Sequence, residues 1–151
     1  MQPPPEYILD EVLRVLNEVI RPTITDDYAS EQARLMASLL EHVRLRLEHE
    51  PTLLLEDASD IHITLSAVAH DELGADLDDL GAPAGDRSLA WLRQYHEELL
   101  GLLQGAVATF EARGASGDGD AQARLPALRA VLRRHLDRQR SIIGSGYAIG
   151  T

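Results

Sequence analysis

The apolar residues of the chain recur at intervals of three and four, and no segment alternates apolar and polar residues as a half-buried strand does. The first such segment covers about residues 6–20. It is apolar over more than half of its circumference, so we expect it to need packing partners on two sides. Pro22 ends it. The second segment covers about residues 26–50, and Pro51 ends it. Its apolar positions have the heptad spacing of a left-handed bundle: Ala29, Ala33, Met36, Leu40, Val43 and Leu47.

Three further helices follow from the same pattern. The third begins at Thr52 or Glu56 and ends near Leu73, and a loop over residues 74–85 leads to the fourth, over about residues 86–113. The fifth begins at Asp120 or Leu125 and runs to Ile143. The expected core positions of the third and fourth helices are Leu54, Ala58, Ile61, Leu65, Val68, Leu92, Tyr95, Leu99, Leu103, Ala106 and Phe110.

This arrangement predicts an all-α fold, a single-domain bundle of four to five mostly antiparallel helices. The bundle is expected to cover residues 1–143, and a glycine-rich C-terminal tail to cover residues 144–151. Only 4% of the residues are aromatic, so leucine, valine, isoleucine and alanine must supply the core.

Composition and charge exclude several classes of function. The formal net charge of −11 repels phosphate backbones, so we expect no nucleic-acid partner. All 14 basic residues are arginine, which removes lysine Schiff-base chemistry, and the absence of cysteine removes disulfides and thiolate chemistry. No segment has the apolar length of a membrane span. The start, MQPPPEYILDE, lacks the features of a signal peptide, so we expect a cytoplasmic protein.

The histidines are the only candidates for metal ligands that are not simply acidic. His42 and His49 border the apolar face of the second helix, whereas Glu41 and Glu48 lie on its far side. The Glu-x-x-His spacing of carboxylate-bridged metal bundles does not occur in the chain. We therefore predict no metal and no cofactor. Whether histidines from four helices cluster in space stays open, and the four most suitable are His42, His62, His96 and His135.

The fifth helix differs from the rest of the chain in charge. Between residues 124 and 140 there are six arginines and one acid. Arg129, Arg133 and Arg140 share one flank of its apolar stripe. Pairing with the acidic helices of the same chain is the favoured interpretation, and an anion or an acidic partner is the alternative.

Two apolar residues lie opposite the predicted core faces of their helices. Leu45 does so on the second helix, and Ile63 on the third. We predict that these faces meet in a homodimer, because symmetric dimers are the commonest closed assembly.

The two ends of the chain resemble a small uncharacterised bacterial family encoded beside aminoglycoside-phosphotransferase-like proteins and acyl-CoA dehydrogenases. The resemblance rests on the leading segment "ILDEVLRVLNEVIRP", the long helix "YASEQARLMASLLEHVRLRLEHE" and the basic final helix "LRAVLRRHLDRQRSI". The Asn-Pro that closes the final helix in that family is replaced here by Gly144-Ser145-Gly146. The middle of the chain does not align. The resemblance implies no catalytic residue.

The sequence contains no catalytic motif, and we predict a non-enzymatic interaction or accessory subunit. A helical bundle that binds a small acyl or anionic ligand beside the arginines is the alternative. A metal-dependent enzyme built on clustered histidines is the third possibility.

Overall fold

The computed structural model describes the backbone of residues 2–147 and the side chains of residues 2–141. Five α-helices account for most of this part of the chain, and it contains no β-strand, which confirms the all-α prediction. The helices are α1 (Pro5–Val15), α2 (Asp27–Val68), α3 (His70–Leu80), α4 (Leu89–Ala115) and α5 (Gly119–Tyr147). A π-helical turn, Leu16–Ile20, and a 3₁₀ turn, Arg21–Thr23, follow α1.

The chain divides into two compact units. The central unit comprises residues 51–139, and the terminal unit comprises the residues up to Glu50 together with α5 from Arg140 onward. The predicted boundary between a bundle and a tail at residue 143 stays a prediction. The helix α5 continues past that boundary to Tyr147, and residues 148–151 of the predicted tail lie outside the described residues.

The core of the central unit includes most of the positions predicted for the third and fourth helices and adds Leu77 of α3 and a stripe of α5. Burial of apolar side chains on one side of each helix is the main force that holds these elements together. Phe110 is the largest fully buried side chain among the described residues. The core residues are Ala58, Ile61, Leu65, Ala69, Leu77, Tyr95, Leu99, Leu103, Ala106, Phe110, Ala121, Leu125, Leu128 and Val131.

The terminal unit contains a hairpin of α1 and the first half of α2. Asp10 lies near Arg44, with 3.6 Å between carboxylate and guanidinium, and a surface cleft is lined by Asn17 together with Arg34. Residue numbers thus rise along α1 as they fall along α2, so the two helices are antiparallel. Leu13, Leu16 and Ala37 form the small core of the hairpin, and Leu40 packs against it.

The predicted core face of the second helix is wrong in part. Ala33 is buried and Leu40 is half-buried as expected, but Met36 and Val43 are exposed. The reason is that α1 packs against Ala37 and Leu40 and leaves the adjacent flank of the helix uncovered. The apolar surface of α2 is wider than one neighbouring helix can bury.

The helix α2 does not end at Pro51, which is a second correction. It continues to Val68 with Pro51 inside it. An internal proline removes one backbone hydrogen bond and costs about 3 kcal/mol. Burial of Leu54, Ala58 and Ile61 immediately afterwards offsets this cost.

The break that does occur comes at Ala69, where the backbone leaves the helical region at φ −130° and ψ 19°. Arg124 stabilises this break. Its guanidinium donates a hydrogen bond of 3.1 Å to the carbonyl oxygen of Val68 and pairs with Asp71. A basic group at the last carbonyls of a helix satisfies acceptors that have no intrahelical partner.

The loop predicted over residues 74–85 is mostly helical. The helix α3 runs to Leu80 and ends at Gly81, whose φ of 73° is readily adopted by glycine. The hydroxyl of Tyr95 donates a hydrogen bond of 2.8 Å to the carbonyl of Gly81. The helix α4 then begins at Leu89, where the Ser88 hydroxyl caps it by accepting from the backbone N–H of Trp91.

Candidate functional site

Three polar side chains from three helices meet inside the core of the central unit. Asp57 of α2, His96 of α4 and His135 of α5 are 3%, 7% and 7% exposed. Each lies on the apolar stripe of its helix, because residues three and four apart share a face. Asp57 precedes Ala58 and Ile61, His96 adjoins Leu99, and His135 follows Val131. The packing that builds the core therefore also brings these groups together.

Both histidines contact the same carboxylate oxygen. Oδ2 of Asp57 lies 2.6 Å from Nε2 of His96 and 2.6 Å from Nδ1 of His135. An ionised carboxylate only accepts hydrogen bonds, so each ring must carry a proton on the nitrogen that faces it. The two ring centroids are 5.5 Å apart.

Two arginines and a second aspartate surround this cluster. Arg138 donates a hydrogen bond of 2.7 Å to Oδ1 of Asp57 and one of 3.0 Å to Asp60. Arg134 binds Asp60 through two hydrogen bonds of 2.7 Å each. Two carboxylates thus face two guanidinium groups, so the positive and negative charges balance when both imidazoles are neutral.

The surroundings of Asp57 keep it ionised. Burial alone raises the pKa of a carboxyl group, but hydrogen bonds from His96, His135 and Arg138 outweigh it and hold the pKa of Asp57 at about 2. The pKa of Asp60 is also lowered, chiefly by its hydrogen bonds with Arg134.

The outer nitrogens of the two rings are not sealed in the core. Nδ1 of His96 and Nε2 of His135 form no hydrogen bond with another described residue. Within the part of the chain that the structure describes, no fully buried side-chain nitrogen or oxygen lacks a hydrogen-bond partner. Each outer nitrogen therefore keeps some contact with solvent.

Two of the four histidines singled out from the sequence come together, and two do not. His42 belongs to the terminal unit. His62 belongs to the central unit but is not part of the cluster. The sequence reasoning missed Asp57. The available signal was a charged residue on an apolar stripe, three positions after Leu54 and four before Ile61.

The arginines predicted to share one flank of the fifth helix have different surroundings. Arg129 pairs with Glu111 of α4 at 2.9 Å, and both side chains are about half exposed. Arg133 and Arg140 are exposed and form no ion pair with another described residue. Arg140 belongs to the terminal unit, whereas Arg129 and Arg133 belong to the central unit. Their role in binding an anion or partner stays a prediction.

A second candidate is the apolar surface of the terminal hairpin. Among the described residues, ten of the twelve exposed large hydrophobic side chains lie between residues 7 and 43. Leu39 is 67% exposed and Met36 is 55% exposed. Single exposed apolar residues are common, whereas large exposed apolar patches often mark interaction sites, so this concentration makes the hairpin the second candidate site.

The two residues predicted to mediate dimerisation lie in different environments. Leu45 is half-buried in the terminal unit. Ile63 is 67% exposed in the central unit, where Leu136 is the other exposed large hydrophobic residue among those described. Their part in an interface stays a prediction.

No family model, no curated protein and no solved structure matches this chain. The resemblance noted from the sequence therefore stays an expectation. Among the described residues, no helix combines the length and the apolar character needed to cross a bilayer.

Proposed function

We propose that this protein is a non-enzymatic interaction subunit that forms a homodimer through the exposed apolar face of its terminal hairpin. The proposal rests on the apolar side chains of the terminal hairpin that remain exposed next to the contact between α1 and α2. We call this set the hairpin face. Its residues are Ile8, Val12, Val19, Tyr28, Leu35, Met36, Leu39 and Val43.

The hairpin face is centred on one side of the helix pair. At 100° per residue, Met36, Leu39 and Val43 fall on one flank of the stripe by which α2 contacts α1. Tyr28 and Leu35 extend this apolar surface round α2, toward the side that faces away from α1. Ile8 and Val12 fall on the flank of α1 that is displaced in the same rotational sense. In an antiparallel pair, flanks displaced in the same sense lie on the same side, so the two sets adjoin. The other side carries the polar cleft with Asn17, Arg21, Arg34, Ser38 and Glu41.

The size of the hairpin face suits a second copy of the chain. Its eight side chains expose on the order of 800 Å², which is the area that each partner of a standard-size interface buries. Two antiparallel hairpins that pack by such faces form a four-helix bundle, in which apolar rows of both hairpins interdigitate. A twofold axis through the centre of the face brings the same residues of the two copies together.

The terminal hairpin also has little core of its own. Leu13, Leu16 and Ala37 are its only buried apolar side chains besides Ala33 among the described residues. A helix pair with so small a core is weakly held by its own contacts, because most helix stability in proteins comes from packing of an apolar face. Dimerisation supplies the second packing partner that the apolar circumference of α1 requires.

The test compares Leu39→Glu with Ser38→Glu in sedimentation velocity. Both substitutions add one negative charge at exposed positions, but Leu39 lies on the hairpin face and Ser38 lines the polar cleft. We expect a dimer for the wild type and for Ser38→Glu. Leu39→Glu, or Val12→Glu, should weaken the dimer by at least about 100-fold, because each dimer would contain two buried unpaired carboxylates.

Two results would overturn the proposal. One is a wild type that stays monomeric at high micromolar concentration. In that case the hairpin face is either covered by another part of the same chain or left exposed, and the proposed dimer does not form. The other is a dimer that survives both Leu39→Glu and Val12→Glu. Leu45→Glu and Ile63→Glu serve as further variants. Loss of the dimer in one of these variants, but not in Leu39→Glu or Val12→Glu, would favour the faces predicted from the sequence.

A further inference from the structure

The donor atoms of Asp57, His96 and His135 converge on one point of the central unit. One carboxylate oxygen and one nitrogen from each ring all lie within 4.8 Å of one another. Imidazole and carboxylate groups are the ligands that zinc and other divalent first-row metals prefer in proteins. We propose that these three side chains form a binding site for a divalent transition metal ion of the zinc class.

The present spacing is that of hydrogen bonds and lies close to that of a coordination shell. Oδ2 of Asp57 is 2.6 Å from the facing nitrogen of each ring. Ligand atoms of a tetrahedral zinc site lie roughly 3.3 Å apart when the bonds to the metal are about 2.0 Å. A metal ion therefore requires each of these contacts to open by less than about 1 Å and the two ring nitrogens, which lie within 4.8 Å of each other, to come to a similar spacing. Each ring must also lose the proton on its facing nitrogen and carry one on its outer nitrogen instead, because a metal binds the unprotonated nitrogen.

Neighbouring side chains hold the carboxylate in a suitable orientation. Arg138 donates to Oδ1 of Asp57, so that Oδ2 is the oxygen that faces both histidines. Asp60 in turn balances the charge of Arg138 and is held by Arg134. Partners of this kind, one contact away from the ligands, fix ligand geometry in metal sites.

The number of ligands distinguishes this site from a closed structural one. Structural zinc sites usually have four protein ligands, whereas three protein ligands leave a coordination position for water or a small molecule. Among the described residues, the cluster offers three. The site is therefore of the open type. Solvent would supply the remaining ligands of a four-coordinate or six-coordinate metal ion.

The experiment uses the full chain, freed of metal with a chelator and titrated with Co²⁺ as a spectroscopic probe. We expect one equivalent to bind and to give the visible absorption of Co²⁺ bound by nitrogen and oxygen. Zn²⁺ at about 100 times its dissociation constant should raise the melting temperature by roughly 5–10 °C. His96→Gln and His135→Gln should lose both effects, and His62→Gln, in the same unit but outside the cluster, should keep them.

The proposal fails if the wild type binds no Co²⁺ and shows no Zn²⁺-dependent shift, because the cluster is then a hydrogen-bonded network only. It also fails if both effects survive His96→Gln and His135→Gln. If these variants do not fold, the proton NMR spectrum of Co²⁺-loaded wild type decides. Two histidine rings with paramagnetically shifted protons are expected, and none or one would overturn the proposal.

Discussion

Asp57 is the residue through which the buried polar contacts of the central unit are joined. Its carboxylate accepts from His96 and His135 on one oxygen and from Arg138 on the other. The sequence pointed to both histidines as inward-facing but not to Asp57. Periodicity shows which face of a helix is buried, whereas it does not show at which level three helices meet. A lone aspartate on an apolar stripe therefore gives no signal of its partners.

A second aspartate of the central unit, Asp118, leads to a prediction about the pH dependence of stability. Its carboxylate caps α5 by accepting from the backbone N–H groups of Asp120 and Ala121, both at 3.1 Å. It also pairs with Arg113. The hydrogen bond with Ala121, followed by that with Arg113, lowers the pKa of Asp118 below its ordinary 3.8. A lowered pKa means that the ionised group stabilises the folded state above the unfolded pKa.

We therefore expect melting temperatures at pH 7 in the order wild type, Asp118→Asn, Asp118→Ala. The asparagine keeps the acceptor for the cap but loses the charge. The advantage of the wild type over Asp118→Asn should shrink as the pH falls below about 3.8 and through the lower folded pKa. Thermal melts from pH 7 to pH 3 measure it. Asp78→Asn, at an exposed position of α3, is the control, and an advantage constant down to pH 3 would contradict the prediction.

At the scale of the elements, periodic apolar rows predicted α4 and its buried stripe well. All six predicted positions from Leu92 to Phe110 are buried. The predicted division between the second and third helices at Pro51 is wrong, because tertiary packing there overrides the tendency of proline to end a helix. At the actual break, Ala69, the preceding carbonyl accepts a hydrogen bond from Arg124. Arg124 is more than fifty residues away, so the local sequence does not show this contact.

Two glycines in α4 make a prediction about helix stability. Gly101 and Gly105 are exposed, and a Cβ added at either would meet nothing within 4 Å. Alanine loses less backbone entropy than glycine on entering a helix. Gly101→Ala and Gly105→Ala should each raise the free energy of unfolding by about 0.5–1 kcal/mol. Chemical denaturation with circular dichroism measures the change.

The matched control is Gly117→Ala, which lies in the turn between α4 and α5. A Cβ there also meets nothing within 4 Å, but φ is +93°, a region that alanine rarely adopts. This substitution should lower the free energy of unfolding by about 1 kcal/mol or more. Equal effects of all three substitutions would mean that space, rather than backbone conformation, governs them.

For the whole molecule, the distribution of charge distinguishes an internal from an external use of the arginines. The chain carries a formal net charge of −11. Four arginines of α5 pair with carboxylates of the same chain, and these pairs account for most of its basic character. They are Arg124, Arg129, Arg134 and Arg138. This pairing favours the structural interpretation of the basic helix over the anion-binding alternative.

Arg129, Arg133 and Arg140 test the remaining alternative. Arg129→Gln should lower the free energy of unfolding by about 0–1 kcal/mol, because an exposed ion pair is worth no more than that. Arg133→Gln and Arg140→Gln should leave it unchanged, since neither side chain has an ion-pair partner among the described residues.

Thermal melts of the wild type and the triple variant, with and without phosphate, sulfate or an acyl-CoA, measure both the change in stability and any binding of an anion. Phosphate and sulfate stabilise most folded proteins non-specifically, so the two proteins must be compared at the same salt concentration. We expect equal shifts in both. A larger shift in the wild type that the triple variant loses would show that these arginines bind an external anion, and would favour a ligand-binding bundle.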